Sequence, residues 1–506
     1  MPDPLALLRR LGLALLLGAG PQAMAAGVPD QASLDAQARF QALEAQLLDP
    51  ATAGRPLADL LAETGLAAPL LAGRPDWMPS WSPDWARPAD GPARGERLPL
   101  RLALTVLSQG EGDEGNRAVM AAQSDPSLPS LALRGGEATL ADLRRLLREA
   151  GLPHDGEGAA LTLRAPLVVW PGAALRLGPG ESLLLSRPDG AFVVNLGRLT
   201  AEGATLAGTG EANARVRSFQ PFLATAQDGV IAWRGGRLAR LGFGATAKFA
   251  GVSVLRGPLG RPEAPAWIEG ALIEDVLSLA VSGEAGAVIL SNRLRDMRGP
   301  AVLLSHAPRA LVLGNAFAGE GPTNAVRVLG SPRATVAGNV VLGGERAGIV
   351  LRAGSEGARV LANAVWGRDG GGIVLTQADC AEVAGNLVVR NGQKGVEVRQ
   401  SRDVAVTGNT LWSNHSAGLW VSAQEEGSLT LVEGNVLGFN GAGLASAEGA
   451  GLLLRANDLA GQFQQFLAGD IALQTPHVAR DPRGGEAFVL SASGRAPAPP
   501  WQPSCP

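Results

Sequence analysis

An asparagine returns along the second half of the chain at Asn292, Asn315, Asn339, Asn363, Asn386, Asn409, Asn435 and Asn457, at intervals of 23, 24, 24, 23, 23, 26 and 22 residues. A period of this size signals a solenoid, because so short a unit cannot bury a core alone and must stack on its neighbours. Most of these asparagines follow Gly, Ala or Ser. A small–apolar–x–apolar run recurs upstream of them, as in Gly348-Ile349-Val350-Leu351, Gly372-Ile373-Val374-Leu375 and Gly395-Val396-Glu397-Val398. Alternation of this kind fits short strands with every second residue facing inward. Coils stacked about 4.8 Å apart bring equivalent residues into ladders. Asn tolerates left-handed turn geometry, and stacked Asn side chains can hydrogen-bond from coil to coil. The asparagines therefore read as structural. Leucine-rich repeats share the period but not the β-branched strands and glycine turns, and helical repeats lack support because no 3.6-residue periodicity is present. The expected fold is all-β, a right-handed parallel β-helix over 159–475. That length gives roughly fourteen coils at about 23 residues each.

The remaining segments divide by pattern. Residues 1–25 read as a secretory signal: Arg9 and Arg10, an apolar run from Leu11 to Gly20, and Ala23-Met24-Ala25 before the cut. That run is too short to span a membrane as a helix. Residues 26–72 predict helix, with Leu34, Leu43, Leu47 and Leu48 near helical spacing and Pro50 as a stop. Residues 73–98 form a linker carrying Trp77, Trp81 and Trp85 among prolines. Residues 99–158 hold a cap region. Its helix opens with Thr139 and Asp142, shows Leu140, Leu143, Leu146 and Leu147 on one face, and ends at Gly151. A solenoid needs such an element over its first open edge. Residues 476–506 are a tail, and its Pro-rich end from Arg495 predicts disorder.

Composition excludes several functions. A net charge of -3 gives no basic stripe for nucleic acid. Of the basic residues only Lys248 and Lys394 are lysines, so a cationic site must rely on Arg. Tyr is absent, which removes one acid/base group. The two cysteines, Cys380 and Cys505, are no disulfide framework, and export leaves a bridge between them possible. No Cys/His cluster implies a metal, and no phosphate loop implies a nucleotide, so no cofactor is expected.

A β-helix offers a long parallel surface suited to an extended polymer. Its outward candidates are Arg327, Arg352, Thr376, Glu397, Arg399 and Trp420. Arg pairs with sugar carboxylates in a bidentate way, and Trp can stack on a sugar face. Four histidines exist. His306 ends a strand in mid-solenoid, where a base could reach a substrate, and His415 lies in the turn Asn414-His415-Ser416-Ala417-Gly418.

From Thr139 onward the sequence resembles the periplasmic mannuronan C5-epimerases of alginate-producing bacteria. The resemblance rests on Arg187-Pro188-Asp189-Gly190-Ala191-Phe192-Val193-Val194-Asn195, on Phe219-Gln220-Pro221-Phe222-Leu223, on Ala266-Trp267-Ile268, on Asn414-His415-Ser416-Ala417-Gly418 and on Asp470-Ile471-Ala472-Leu473. It covers about two thirds of the chain. It implies a periplasmic or secreted protein, a uronate polymer as partner, and polysaccharide export machinery as a second partner. The family's Asp-Pro-His-Asp motif is not retained: the slot reads Val302-Leu303-Leu304-Ser305-His306. Its following arginine falls near Leu329-Gly330-Ser331. Epimerisation requires neutralising a uronate carboxylate, abstracting the C5 proton and reprotonating the other face. Here that chemistry would need His306 as base, with Arg309, Arg327 or Arg352 on the carboxylate. Two readings stand nearly level: an epimerase-type enzyme, and a non-catalytic relative that binds or guides the polymer. An envelope protein that binds other proteins ranks third.

Overall fold

Three short strands per coil, each with its apolar residues on the inner side, can close a core only by stacking on the next coil. In a computed structural model the chain does this, as a right-handed parallel β-helix of about 13 turns. The structure describes residues 31–505, apart from 53, 67–81, 83–88, 126, 128, 258–259, 320 and 463–464. The secretory signal at 1–25 and the linker tryptophans Trp77, Trp81 and Trp85 lie outside the described residues. No helix among the described residues is long and apolar enough to cross a membrane. The chain divides into two compact units, one of residues 76–310 and one of residues 311–506 with the N-terminal helices.

A coil of the 311–506 unit shows the pattern. Ile373–Thr376 lies in a first sheet, Glu382–Ala384 in a second and Leu387–Val389 in a third. Each pairs in parallel with its equivalent one coil on, for example Ile373 with Val396 and Val383 with Val406. Ile373 and Leu375 are buried while Val374 and Thr376 face outward. Each such buried side chain contributes about 1.5–3 kcal/mol relative to exposure.

The recurring asparagines stand between the second and third sheets, and all are buried. Their side chains join successive coils: Asn315 to Asn339, Asn339 to Asn363, Asn363 to Asn386, Asn386 to Asn409, Asn409 to Asn435 and Asn435 to Asn457, at 2.9–3.0 Å. One expectation is corrected. The left-handed residue is the one before each asparagine, at Gly338 (φ 63°), Ala362 (φ 51°) and Gly385 (φ 64°), among others. The asparagine itself is occupied with the ladder. This explains why Gly precedes most of them, while Ser291, Ala362 and Ala456 take the same conformation against their preference.

Two further polar columns complete the coil. Asn391, Asn414 and Asn440 form a second ladder between the third and first sheets, closed by Gln462. At the turn between the first and second sheets, Ser355 Oγ accepts from the Ser331 N–H and Ser401 Oγ from the Ala378 N–H.

The predicted N-terminal helix forms as Gln31–Leu48, followed after Pro50–Thr52 by Leu57–Glu63. Its apolar face docks on the third sheet of the 311–506 unit. Phe40, Leu43, Leu47, Leu60 and Leu61 cluster with Ala316, Val340 and Leu342. Phe40 stacks on Trp366 at 5.7 Å between ring centres. The tail departs from the disorder expected of it. Gly494–Pro497 pairs antiparallel with Phe488–Ser491, which pairs with Gly451–Arg455, and Cys505 is bonded to Cys380. Proline content alone did not reveal these anchors.

In the 76–310 unit, Leu140–Glu149 is the predicted helix, with a reciprocal capping box between Thr139 and Asp142 and all four leucines buried. A second apolar cluster brings Leu104 and Leu107 of Leu100–Glu111 against Phe192, Phe219, Phe222, Phe243 and Phe249.

Candidate functional site

The outward residues of the first sheet in the 311–506 unit fall into two rows, because register places equivalents one coil apart. One row runs Arg327, Val350, Val374, Glu397, Trp420, Ala445. The other pairs Leu329 with Arg352, and Thr376 with Arg399 and then Ser422. Arg352 and Arg399 are exposed and Arg327 is half-buried. Burial, and then the neighbouring Arg352 guanidinium, push Arg327 below its ordinary value. Arg327 Nε is buried without a hydrogen-bond partner. Among the described residues neither Arg327 nor Arg352 forms an ion pair with a carboxylate. Two outward arginines on adjacent coils, neither matched by a carboxylate, are suited to a ligand carboxylate.

The far end of the first row is differently made. Lys394 Nζ lies 3.2 Å from Glu397 Oε2 and 5.2 Å from the centre of the Trp420 ring. Trp420 also packs on the cluster of Ala417, Ala442 and Ala445. Glu397 is thus already matched to a cation, and Lys394 stands over the ring that was expected to stack on a sugar. His415 is exposed on the turn leading into Ala417–Ser422, where its backbone N–H donates to Asn391 O at 2.9 Å.

In the 76–310 unit, His306 and Arg309 stand on the turn after Val302–Ser305, both exposed and both left-handed, at φ 49° and 55°. Ser305 Oγ lies 3.1 Å from His306 Nδ1. His306 lines a cleft of about 780 Å³ together with Arg256, Pro262, Glu263, Glu284 and Ala285. Its geometry follows from stacking: the Arg256 N–H donates to Ser282 O at 2.8 Å, and the Gly283 N–H to Ser305 O at 2.9 Å, so the three turns are successive. Arg256 and Glu284 form an ion pair with side chains only 3% and 1% exposed. Arg256 Nη1 donates to Gln227 O at 2.8 Å, and Glu284 Oε1 accepts the Ala266 N–H at 2.9 Å. Sequence reading missed this pair because its members are 28 residues apart. Arg309 is not among the cleft's lining residues.

Among the described residues, Cys380, Asp403 and Cys505 are the one group with a metal-ligating composition, and the two cysteines are joined as a disulfide.

The family described as "Right handed beta helix region" matches residues 278–457. The mannuronan C5-epimerase AlgG of Azotobacter vinelandii is 30% identical over 185 residues. The chain resembles the mannuronan C5-epimerases. The AlgG match spans 33% of this chain and 34% of that relative, about a third of each. The crystal structure of the periplasmic alginate epimerase AlgG superposes with a TM-score of 0.53 at 16% identity, covering 82% of this chain and 92% of that one. A point mutant of the same epimerase gives a TM-score of 0.50 at 17% identity, over 79% and 86% of the two chains. At such identities these superpositions speak for the fold alone.

Proposed function

We propose that the protein is a periplasmic polysaccharide-binding relative of the mannuronan C5-epimerases, which holds an extended uronate polymer along the first sheet of the 311–506 unit. The carrying observation is that Arg327 and Arg352, diagonal neighbours on adjacent coils that disfavour each other's charge, form no ion pair with a carboxylate among the described residues. Glu397, Arg399 and Trp420 extend the same face, and coils stacked about 4.8 Å apart let a polymer run across the strands. The sequence likeness to AlgG, an enzyme named for acting on mannuronan, supports the polymer class. Binding without turnover is preferred because Glu397, the carboxylate on this face, is matched by Lys394 and no histidine lies on its strands.

The test is calorimetric titration of the mature protein with polymannuronate, alongside C5 proton exchange in deuterated water. Binding that weakens at least tenfold in the Arg327→Ala/Arg352→Ala variant, with no deuterium uptake, is the expected result. Unchanged binding in that variant overturns the assignment. Deuterium uptake that vanishes in His306→Ala establishes epimerase-type chemistry instead.

A further inference from the structure

The cleft beside His306 has a charge balance that separates it from the arginine pair. Its lining carries two carboxylates, Glu263 and Glu284, against one guanidinium, Arg256. Glu284 neutralises Arg256 directly, and Glu263 pairs with Arg198 at 3.0 Å. A uronate carboxylate entering here would find its one lining arginine already engaged and would lie beside the carboxylates of Glu284 and Glu263. Yet Arg256 Nη2 is buried with no hydrogen-bond partner, a donor left over after its contacts to Glu284 and Gln227. A spare donor on a neutralised ion pair suits a neutral acceptor, such as a hydroxyl or ring oxygen. The walls fit the same ligand: Pro262, Ala264, Pro265 and Ala285 offer apolar surface for a sugar's C–H face, while the exposed His306 imidazole offers a further hydrogen-bonding group.

We propose that this cleft is a second saccharide site, distinct from the uronate-binding face, and that it takes a neutral, hydroxyl-rich sugar ring. His306 is then a binding residue, and its cleft does not supply the carboxylate neutralisation that C5 proton abstraction requires.

The experiment is saturation-transfer NMR and titration of the mature protein with neutral disaccharides of glucose, mannose and galactose, and with dimannuronate. Ala285 is exposed at the cleft, so Ala285→Trp fills it without disturbing the core. At least one neutral disaccharide should bind, Ala285→Trp should weaken it tenfold or more, and dimannuronate should give no signal that Ala285→Trp removes. Glu284→Gln should shift preference toward dimannuronate by leaving Arg256 unneutralised. Should that buried variant fail to fold, Ala285→Trp still decides. The proposal is overturned if no neutral disaccharide gives a signal sensitive to Ala285→Trp, or if dimannuronate gives the stronger one. The Arg327→Ala/Arg352→Ala variant should keep neutral-sugar binding intact, so failure of the uronate reading and failure of this one are told apart.

Discussion

Asn339 and Asn363 meet twice: the side-chain amide of Asn339 donates to Asn363 Oδ1 at 2.9 Å, and its backbone N–H reaches the same oxygen at 3.0 Å. Asn363 in turn donates to Asn386 Oδ1 at 3.0 Å and to Val336 O at 2.9 Å. One amide thus serves three coils. Replacing it with an apolar residue strands groups that are dry on both sides. Asn363→Leu should lower stability by about 3 kcal/mol, at the upper end of the cost of orphaning buried partners. Chemical denaturation measures it.

The residue before that asparagine gives a gain-of-stability test. Ala362 is left-handed at φ 51°, where Gly338 and Gly385 stand one coil to either side. A Cβ in that conformation costs about 1–2 kcal/mol, part of which a glycine gives back in chain entropy. Ala362→Gly should raise stability by about 0.5–1 kcal/mol. A fall in the melting temperature would contradict the account.

The Cys380–Cys505 bond closes a loop across a sequence separation of 125. Bridging a loop of this length removes denatured-state entropy equivalent to about 5 kcal/mol on the chain-entropy model. Cys505→Ser should therefore release the tail hairpin first. Limited proteolysis should cut beyond residue 480 in the variant and spare the wild type.

Glu44 has its carboxyl pushed above the ordinary value by burial. The docked helix therefore favours the protonated acid. That contribution is fully present below the unfolded carboxylate value and is lost as pH rises through the raised one. Protection factors of the Gln31–Leu48 amides, corrected for intrinsic exchange, should fall across that window, and Glu44→Gln should remove that fall. Phe40→Ala should undock the helix at all pH values, at a cost of about 3 kcal/mol for the lost ring.

The main ladder was legible because hydrogen bonding between identical neighbours demands the same side chain in every coil. The second column escaped notice. It holds three asparagines, begins at the Arg368 N–H and ends on Gln462, so identity alone does not reveal it. Its spacing does: Asn391, Asn414, Asn440 and Gln462 step by 23, 26 and 22, matching Asn386, Asn409, Asn435 and Asn457. The docking place of the N-terminal helix was not legible, since amphipathicity shows that a face is buried but not against what. The outward arginines could be read from strand alternation. That Lys394 occupies Glu397 and Trp420 could not, because a turn brings it there.

Both columns hold their 2.9–3.0 Å contacts across the one coil that is 26 residues long, Asn409 to Asn435 and Asn414 to Asn440. The additional length is taken up between Ala417–Ser422 and Leu429–Glu433, in the turn after the first sheet. Each internal junction is therefore interchangeable with the next, whereas a cut inside a coil would leave two columns out of step. Such a chain can be lengthened or shortened in evolution by whole turns, and can vary freely in loop size only at the corner that carries no continuous asparagine column.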